Sequence, residues 1–280
     1  MVKKIILFGL CFGFVLQSCA QKSDSKGKLF IIGGGSRPSS MVDRIIKESG
    51  IDKEGYGIVL PMSSSIPDSS AYYATKQFYK QGITNVYGLH FVKDEKLTAS
   101  KLDSIRNAKL IYISGGNQNR FMDIVGGTKI ETLIHEAYQN GALIAGTSAG
   151  AAVMSKMMIT GSELKHPDYA STFRNIESEN IEIKTGLGLI TTIIVDQHFV
   201  KRSRYNRLLS AVIEHPELAG VGIDESTAIL VSGKTIEVVG ASQVIVFKNP
   251  GFSKTIFKDK LGAQGIIINL YLPGETFTID

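Results

Sequence analysis

The segment Gly146-Thr147-Ser148-Ala149-Gly150 lies between a short apolar run, residues 141–145, and small, helix-compatible residues at 151–156. A strand, a sharp turn flanked by glycines and then a helix is the context in which the pattern G-x-S-x-G forms a nucleophile elbow. The glycines permit a strained turn and a close approach of neighbouring backbone. Such a turn lifts the Ser148 hydroxyl to the edge of a sheet and points the Ala149 N–H at a developing oxyanion. The segment therefore predicts a serine nucleophile, with an ordinary strand–helix turn as the alternative.

On both sides of this segment, short apolar runs alternate with stretches of helical periodicity. Strands are expected at residues 29–32, 57–61, 85–89, 110–113 and 193–195, and helices at residues 40–49, 69–81, 98–107, 128–140 and 202–214. Strands of four to six apolar residues that alternate with helices predict an α/β fold with a parallel sheet covered on both faces. Such sheets carry their sites at the carboxyl ends of the strands, which is where the glycine-rich turns of this sequence fall.

The C-terminal part of the chain has a different pattern. From residue 235 onward, short alternating segments separated by Ser-Gly, Asn-Pro-Gly and Pro-Gly turns predict antiparallel strands. We expect them to flank the parallel sheet within a single domain over residues 28–280. The chain has 280 residues, 43% of them hydrophobic, and can bury a full core. Its formal net charge of +5 is too small to indicate a nucleic-acid partner.

Residues 1–19 have the features of a secretory signal peptide: a basic start, an apolar core at residues 5–16 and the ending Leu-Gln-Ser-Cys. The ending resembles a bacterial lipobox, so we expect export, lipidation of Cys19 and anchoring to a membrane of the cell envelope; a plain signal peptide is the alternative. Residues 20–27 are polar and small and predict a tether. The only other cysteine, Cys11, lies in this leader, so no disulfide is expected in the domain.

A polar segment, Ser114-Gly115-Gly116-Asn117-Gln118-Asn119-Arg120, follows the predicted strand that precedes the elbow strand. Gly115 and Gly116 can present a backbone N–H to an oxyanion, and the Gln118 and Asn119 side chains can hydrogen-bond a polar substrate. The alternative is a polar turn that caps the next helix.

A second polar segment, Asp196-Gln197-His198-Phe199, stands at the carboxyl end of the strand at residues 193–195. It is followed by Arg202, Arg204 and Arg207 at the start of a predicted helix. Three arginines within six residues often form a solvated helix face. Beside a candidate catalytic histidine, they instead suit an acidic or carboxylate-bearing substrate.

Other patterns predict no bound group. The remaining histidines lack the spacing of zinc ligands, and the glycines at 33–35 are not followed by a nucleotide-binding motif. Neither a metal nor a cofactor is therefore expected.

Residues 162–185 show no clear periodicity, and a segment of this length predicts a lid or an insertion.

Four motifs together resemble the cyanophycinases, which belong to a serine peptidase family that also contains the aspartyl dipeptidases. They are GGNQ at residues 115–118, GTSAGAAVMS at 146–155, DQHF with R-x-R-x-x-R at 196–207, and GIDE at 222–225. The resemblance runs from about residue 28 to residue 231. It implies a flavodoxin-like, three-layer fold related to class I glutamine amidotransferase domains, with serine in place of their elbow cysteine.

The resemblance also implies roles for individual residues. Ser148 would be the nucleophile and His198 its base, with oxyanion N–H groups from Gly116 and Ala149. Glu225 is the first choice for the acid that orients His198. Glu163, which lies near an acid proposed for aspartyl dipeptidases, is the second choice. Substrate-pocket positions are implied for Gln118, Asp196, Gln197, Arg202, Arg204 and Arg207.

Cyanophycin is a polyaspartate chain with arginine on each side-chain carboxyl, and the family's enzymes release β-Asp-Arg dipeptides. The resemblance therefore implies a serine exopeptidase that acts on cyanophycin or β-Asp-Arg-type peptides through a Ser-His-Glu triad and an acyl-enzyme. An aspartyl dipeptidase is the alternative within the family, and a catalytically idle peptide-binding surface lipoprotein is the alternative outside it. A homodimer is left open.

Overall fold

The structure is a computed structural model that describes residues 27–168 and 173–279. The helices are α1 (Ser39–Ser49), α2 (Pro67–Tyr79), α3 (Ala99–Arg106), α4 (Gln118–Val125), α5 (Lys129–Gln139), α6 (Ala149–Ala152) and α7 (Tyr205–Glu214). The first eight strands are β1 (Lys28–Ile32), β2 (Gly57–Leu60), β3 (Val86–Gly88), β4 (Leu110–Ile113), β5 (Leu143–Thr147), β6 (Met157–Glu163), β7 (Ile181–Thr185) and β8 (Ile193–Gln197). The others are β9 (Ala219–Ile223), β10 (Thr227–Ser232), β11 (Thr235–Gly240), β12 (Val244–Lys248), β13 (Thr255–Phe257), β14 (Lys260–Gly262), β15 (Ile267–Tyr271) and β16 (Thr276–Thr278).

The main sheet has eight strands in the order β16-β11-β10-β1-β5-β4-β2-β3. The five strands from β1 to β3 in this order are parallel to one another. The three at the other edge, β10, β11 and β16, pair antiparallel. The predicted parallel sheet and its antiparallel C-terminal extension are both confirmed.

Helices cover both faces of this sheet because its central strands are apolar on both sides. In β1, Leu29 and Ile31 contribute to a core shared with α3, α4 and α5. Phe30 and Ile32, which point the other way, contribute to a core shared with α1 and α2. The result is the three-layer architecture expected from the apolar runs.

Strand β8, which ends just before His198, lies in a separate sheet. The sequence pattern did not distinguish this sheet from the first. Its order is β15-β12-β9-β8, and β8 pairs parallel with β9. The two sheets meet at Gly33, at the end of β1, where a Cβ would lie 2.2 Å from the Asp224 carbonyl oxygen. The His198 N–H donates to the Gly33 carbonyl oxygen at 2.6 Å. This contact brings the end of β8 beside the ends of the main parallel strands.

Two segments differ from the sequence prediction. The helix after the elbow ends at Ala152, and the chain then enters β6, because Ser155 and Lys156 bond to other segments instead of extending the helix. The Val195 N–H donates to Ser155 Oγ at 3.1 Å, and the Lys156 N–H to the Ile190 carbonyl oxygen at 3.0 Å. The segment at 162–185 contributes strand at both ends, since β6 and β7 pair antiparallel.

Among the described residues, no helix combines the length and apolar character needed to cross a membrane. The predicted signal peptide at residues 1–19, with Cys19, and the tether up to residue 26 lie outside the described residues.

Candidate active site

Ser148 occupies a strained turn between β5 and α6. Its φ is +55° and its ψ is −114°, in a region that L-residues with a side chain rarely adopt. The flanking glycines are required by close backbone contacts. A Cβ on Gly146 would lie 2.3 Å from the Gly150 carbonyl oxygen, and one on Gly150 would lie 2.2 Å from the Ile113 carbonyl oxygen. The local sequence therefore builds the elbow geometry that the motif predicts.

His198 lies between the Ser148 hydroxyl and the Glu225 carboxylate. Its Nε2 is 3.0 Å from Ser148 Oγ, and its Nδ1 is 2.6 Å from Glu225 Oε1. When Nδ1 carries the ring proton, its N–H donates a hydrogen bond to Glu225. Nε2 then has a free lone pair and can accept the proton of the Ser148 hydroxyl. The structure thus brings three of the predicted side chains, from β5, β8 and the turn after β9, into one hydrogen-bonded chain.

The electrostatic surroundings of His198 favour its neutral form. Burial is the largest effect and lowers its pKa below the ordinary value of 6.5. The hydrogen bond to Glu225 raises the pKa, whereas the charges of Arg202 and Arg204 lower it further. Because the net shift is downward, the imidazole is available as a proton acceptor at neutral pH.

Glu163, the second choice for the orienting acid, has other partners. Its carboxylate accepts hydrogen bonds from the Arg174 N–H at 2.7 Å, from Asn180 Nδ2 at 2.9 Å and from Asn175 Nδ2 at 3.3 Å. The side chain is buried, and it ties the segment between β6 and β7 to the end of β6. The geometry therefore assigns Glu225, rather than Glu163, to the neighbourhood of His198.

The two predicted oxyanion donors are backbone N–H groups without another acceptor. Among the described residues, the amides of Gly116 and Ala149 donate to neither backbone nor side-chain oxygens. Ala149 is the first residue of α6, where an amide has no intrahelical partner. Gly116 has a φ of +141°, and a Cβ there would lie 2.2 Å from the Ser63 carbonyl oxygen. Only glycine can therefore hold this loop against its neighbour while keeping its N–H free.

A cavity of about 570 Å³, here called the arginine cavity, opens beside Ser148. Several predicted residues line it, and so do residues of β6 and of the following segment that sequence reasoning missed, because they carry no motif. Its lining consists of Gly116, Gln118, Ser148, Thr160, Gly161, Ser162, Phe173, Gln197, Arg202, Ser203, Arg204 and Arg207.

Arg204 and Gln197 form the polar wall of the arginine cavity. Arg204 Nη1 donates to the backbone oxygen of Gln197 at 2.7 Å and to its Oε1 at 2.6 Å. The Nε of Arg204 is buried and has no partner among the described residues. Burial, together with the charge of Arg207, lowers the pKa of Arg204 to about 10, so the guanidinium still carries its charge at neutral pH.

Asp196, predicted to contact substrate, instead binds Arg207. Its carboxylate is fully buried and accepts hydrogen bonds from Nε and Nη2 of Arg207, the former at 2.7 Å. It also accepts the Gln197 N–H at 2.7 Å. Because these contacts occupy both oxygens and the side chain does not line the cavity, Asp196 holds Arg207 in position and offsets its charge.

Of the other residues predicted to contact substrate, Arg202 and Gln118 line the arginine cavity and Asn119 does not. Arg202 is exposed on the cavity wall, and its side chain forms no ion pair with a described residue. Gln118 lines the cavity, and its Nε2 donates to the Thr160 carbonyl oxygen at 2.7 Å. Asn119 lines a different cavity of about 270 Å³ and is not brought to Ser148.

The polar segment at residues 114–120 also caps a helix, as the alternative interpretation predicts, because Asn117 Oδ1 accepts the Arg120 N–H at 3.1 Å at the start of α4.

Known proteins resemble this chain in sequence over most of its length. The model of peptidase family S51 matches residues 29–239. A cyanophycinase from Nostoc sp. is 33% identical over 196 residues, which are 69% of this chain and 63% of that protein. A cyanophycinase from Synechococcus elongatus is 30% identical over 240 residues, 81% of this chain and 69% of that protein. A peptidase E from Nostoc sp. is 24% identical over 178 residues, 62% of this chain and 71% of that protein. The chain thus spans less than two thirds of the Nostoc cyanophycinase.

Solved structures share the fold. A peptidase from an acI-B1 Actinobacterium superposes with a TM-score of 0.66 at 21% identity, covering 92% of this chain and 98% of that one. A putative peptidase E from Listeria monocytogenes EGD-e superposes with a TM-score of 0.54 at 18% identity, covering 77% of this chain and 99% of that one. The flavodoxin-like fold implied by the motifs is therefore confirmed. Since the family match extends over residues 29–239, the chain belongs to peptidase family S51, as the resemblance of its motifs to the cyanophycinases predicts.

Proposed function

We propose that this chain is a serine peptidase that cleaves aspartyl peptides of the cyanophycin type through an acyl-enzyme. The observation that carries the proposal is the hydrogen-bonded chain Ser148–His198–Glu225, whose serine lines a cavity that three arginines also line. A serine needs a base to become nucleophilic near neutral pH, and the base needs a carboxylate to orient it.

The reaction follows from these positions. Ser148 Oγ bonds to the carbonyl carbon of the substrate while its proton passes to His198 Nε2. The amides of Gly116 and Ala149 stabilise the negative carbonyl oxygen. The carbon–nitrogen bond then breaks, and His198 returns the proton to the departing amine, which leaves an ester on Ser148. Water then gives a proton to His198 and bonds to the ester carbon. The bond from that carbon to Ser148 Oγ breaks, the acyl half leaves as a carboxylic acid, and His198 returns the proton to Ser148.

The charge of the arginine cavity supports an aspartyl substrate. Asp196 binds Arg207 directly and lies 3.8 Å from Arg204 Nη1, whereas Arg202 forms no ion pair with a described residue, so one carboxylate faces three guanidinium groups. Guanidinium groups bind carboxylates through paired hydrogen bonds, so this wall suits a carboxylate on the residue that acylates Ser148. Relatives named cyanophycinase favour cyanophycin and β-Asp-Arg peptides as the substrates.

An aspartyl dipeptidase is the second candidate, because the same arginines suit an α-aspartyl residue and one relative is named peptidase E. The purified protein should be incubated with cyanophycin, β-Asp-Arg and α-Asp-X peptides, and the products should be identified by mass spectrometry. Release of β-Asp-Arg from the polymer supports the first candidate, and cleavage of α-Asp-X alone supports the second. If no peptide is cleaved but peptides bind, the chain is a catalytically idle binding protein.

Replacing Arg204 by lysine should lower kcat/KM about 10- to 100-fold for substrates whose acyl residue carries a free carboxylate. A charged hydrogen bond contributes roughly 1.5–3 kcal/mol, and lysine keeps the charge but loses the planar fork. The melting temperature should change little. The test measures kcat/KM by steady-state kinetics for two substrates, one with a free carboxylate on the acyl residue and one in which that carboxylate is amidated. Equal losses on both substrates would mean that Arg204 does not bind that group.

Replacing Arg202 by glutamine should move the acidic limb of the kcat/KM profile to higher pH. Arg202 lowers the pKa of His198, so its removal raises that pKa, and His198 becomes protonated at a higher pH than in the parent protein. The profile should be measured at low ionic strength, where exposed charges act most strongly. Arg106→Gln, at an exposed arginine of α3, is the matched control and should leave the limb in place. An unmoved limb in Arg202→Gln would contradict the proposed influence.

We also propose that Cys19 anchors the protein to a membrane of the bacterial cell envelope, as its lipobox-like context predicts. Cys19→Ser should then shift the protein from the membrane fraction to the soluble fraction of expressing cells, detected by immunoblot. Acyl chains contribute about 0.8 kcal/mol per buried CH₂, so their loss should release the chain. Unchanged membrane association of the variant would contradict lipidation at this cysteine.

A further inference from the structure

Ser148 borders a second cavity, and most of the residues that line this cavity lie outside the four motifs. This cavity, of about 260 Å³, is here called the leaving-group cavity. Besides Ser148 and His198, its polar lining includes Arg37, Ser70, Tyr73, Tyr112, Ser114 and Thr147. We infer that it binds the part of the peptide that departs as an amine, and that Arg37 recognises a carboxylate on that part. The inference rests on the proposed peptidase function.

The positions of His198 and Gly116 decide which half of the substrate each cavity holds. Gly116, a proposed oxyanion donor, lines the arginine cavity and not the second one. His198 lines the second cavity and not the first. The departing nitrogen must come within about 2.6–3.2 Å of the group that protonates it. The acyl half therefore lies in the arginine cavity, and the departing half lies on the His198 side.

Two buried hydroxyl groups of the leaving-group cavity have no partner. The oxygens of Tyr112 and Thr147 are both buried, and neither has a hydrogen-bond partner among the described residues. Buried polar atoms are nearly always satisfied, so unpaired ones need an explanation. Both residues are held by the sheet, and the Tyr112 ring also packs edge to face on Phe78 at 5.9 Å. Fixed hydroxyls at this place suit the amide groups of a bound peptide.

Arg37 supplies a positive charge at the same cavity. Its Nε donates to Gln77 Oε1 at 2.7 Å, and its Nη1 donates to the Gly35 carbonyl oxygen at 2.9 Å. These contacts fix the guanidinium but leave donors on Nη2, and Arg37 forms no ion pair with a described residue. An oriented and uncompensated guanidinium suits a carboxylate.

A third cavity shares two lining residues with the leaving-group cavity. Arg37 and Tyr73 also line an adjoining cavity of about 400 Å³, together with Lys76 and Lys80. The positive lining therefore continues away from Ser148, in the direction that later residues of a substrate would follow. A peptide with several carboxylates on the departing side can occupy this continuation.

The test compares two substrate pairs that differ only at the end of the departing residue. The probes are α-Asp-Leu and a two-unit β-Asp-Arg peptide, each with a free C-terminal carboxylate or a carboxamide. In the parent protein we expect kcat/KM to favour the carboxylate by at least about tenfold, the size of one charged hydrogen bond. Arg37→Gln should bring this preference close to one, and Arg37→Lys should restore part of it. Arg106→Gln is the matched control and should keep the full preference.

Tyr112→Phe removes only the unpartnered hydroxyl. We expect it to lower kcat/KM about 3- to 10-fold on both members of a pair, without lowering the melting temperature. A purely structural tyrosine would show no kinetic loss.

The outcomes separate this inference from the proposed function. A Cβ on Gly35 would lie 2.8 Å from Glu225 Cβ, so Arg37 can also act on the triad through its hydrogen bond to Gly35. If the peptides are cleaved but Arg37→Gln slows both members of a pair alike, Arg37 acts only by this structural route, and the inference fails while the function stands. If no probe is cleaved, calorimetry on Ser148→Ala protein decides. If the carboxylate probe binds more tightly than the carboxamide and this preference disappears when Arg37 is replaced, the inference stands, and the proposed cleavage reaction is rejected. Absence of that preference would overturn the inference.

Discussion

Ser148→Ala is expected to lower kcat by about a million-fold, the loss that another serine peptidase shows when its nucleophile is removed. The variant has no oxygen to form the acyl-enzyme, so only the oxyanion donors and substrate binding still contribute to the rate. Alanine has no greater difficulty than serine at a φ of +55°, so the fold should persist. Single-turnover kinetics on the best peptide substrate measure the loss, and calorimetry checks that binding remains.

Ser104→Ala is the matched control for this variant. Ser104 lies on α3, where its hydroxyl donates to the Ser100 carbonyl oxygen at 2.8 Å, and it lines neither cavity. Its rate should equal that of the parent protein. If Ser148→Ala retained turnover within tenfold of the parent, Ser148 would not be the nucleophile.

Glu225→Gln should lower kcat by about ten-thousand-fold with little change in substrate binding, as expected when the acid of a serine triad becomes an amide. The glutamine amide can donate to His198 Nδ1, which favours the tautomer with its proton on Nε2. That tautomer cannot accept the Ser148 proton. The amide also cannot stabilise the imidazolium that forms during the reaction. Pre-steady-state kinetics and calorimetry measure the two effects separately.

Glu163→Gln should give the opposite result, a loss of stability with turnover largely retained. Donors approach both oxygens of Glu163, so an amide in its place would set its own NH₂ against another donor. A buried donor that faces another donor and has no acceptor lowers the free energy of unfolding by about 1–3 kcal/mol. Chemical denaturation measures the free energy of unfolding. If Glu163→Gln abolished turnover and Glu225→Gln did not, the assignment of the orienting acid would be reversed.

Much of the fold could be predicted because it rests on local patterns. The apolar runs of β1, β2, β4 and β5 are continuous, and strands buried on both faces occur chiefly in parallel sheets with helices on each side. The end of the helix after the elbow could not be predicted in the same way. Residues 151–156 are compatible with a helix, but tertiary hydrogen bonds to Ser155 and Lys156 replace the helical ones.

Arg207 and Asp196 illustrate the same limit in the candidate site. Their sequence positions are those of substrate contacts, and nothing local distinguishes them from Arg204 or Gln197. Only the packing of α7 on the sheet that contains β8, β9 and β12 brings these two side chains together, so that the Asp196 carboxylate binds Arg207 and does not line the cavity.

The sequence by itself determined the elbow at Ser148, because both flanking glycines and the serine act within a few residues of one another. It also determined the α/β class, through the alternation of apolar runs and helical periodicity. The tertiary structure alone decided that Glu225 and not Glu163 meets His198, and that Tyr112, Thr147 and Arg37 surround a second cavity. The physical reason is how far apart in the sequence the interacting residues lie. Turn geometry and burial patterns are local, whereas a hydrogen bond between residues dozens of positions apart depends on which strands pair and on how the two sheets meet.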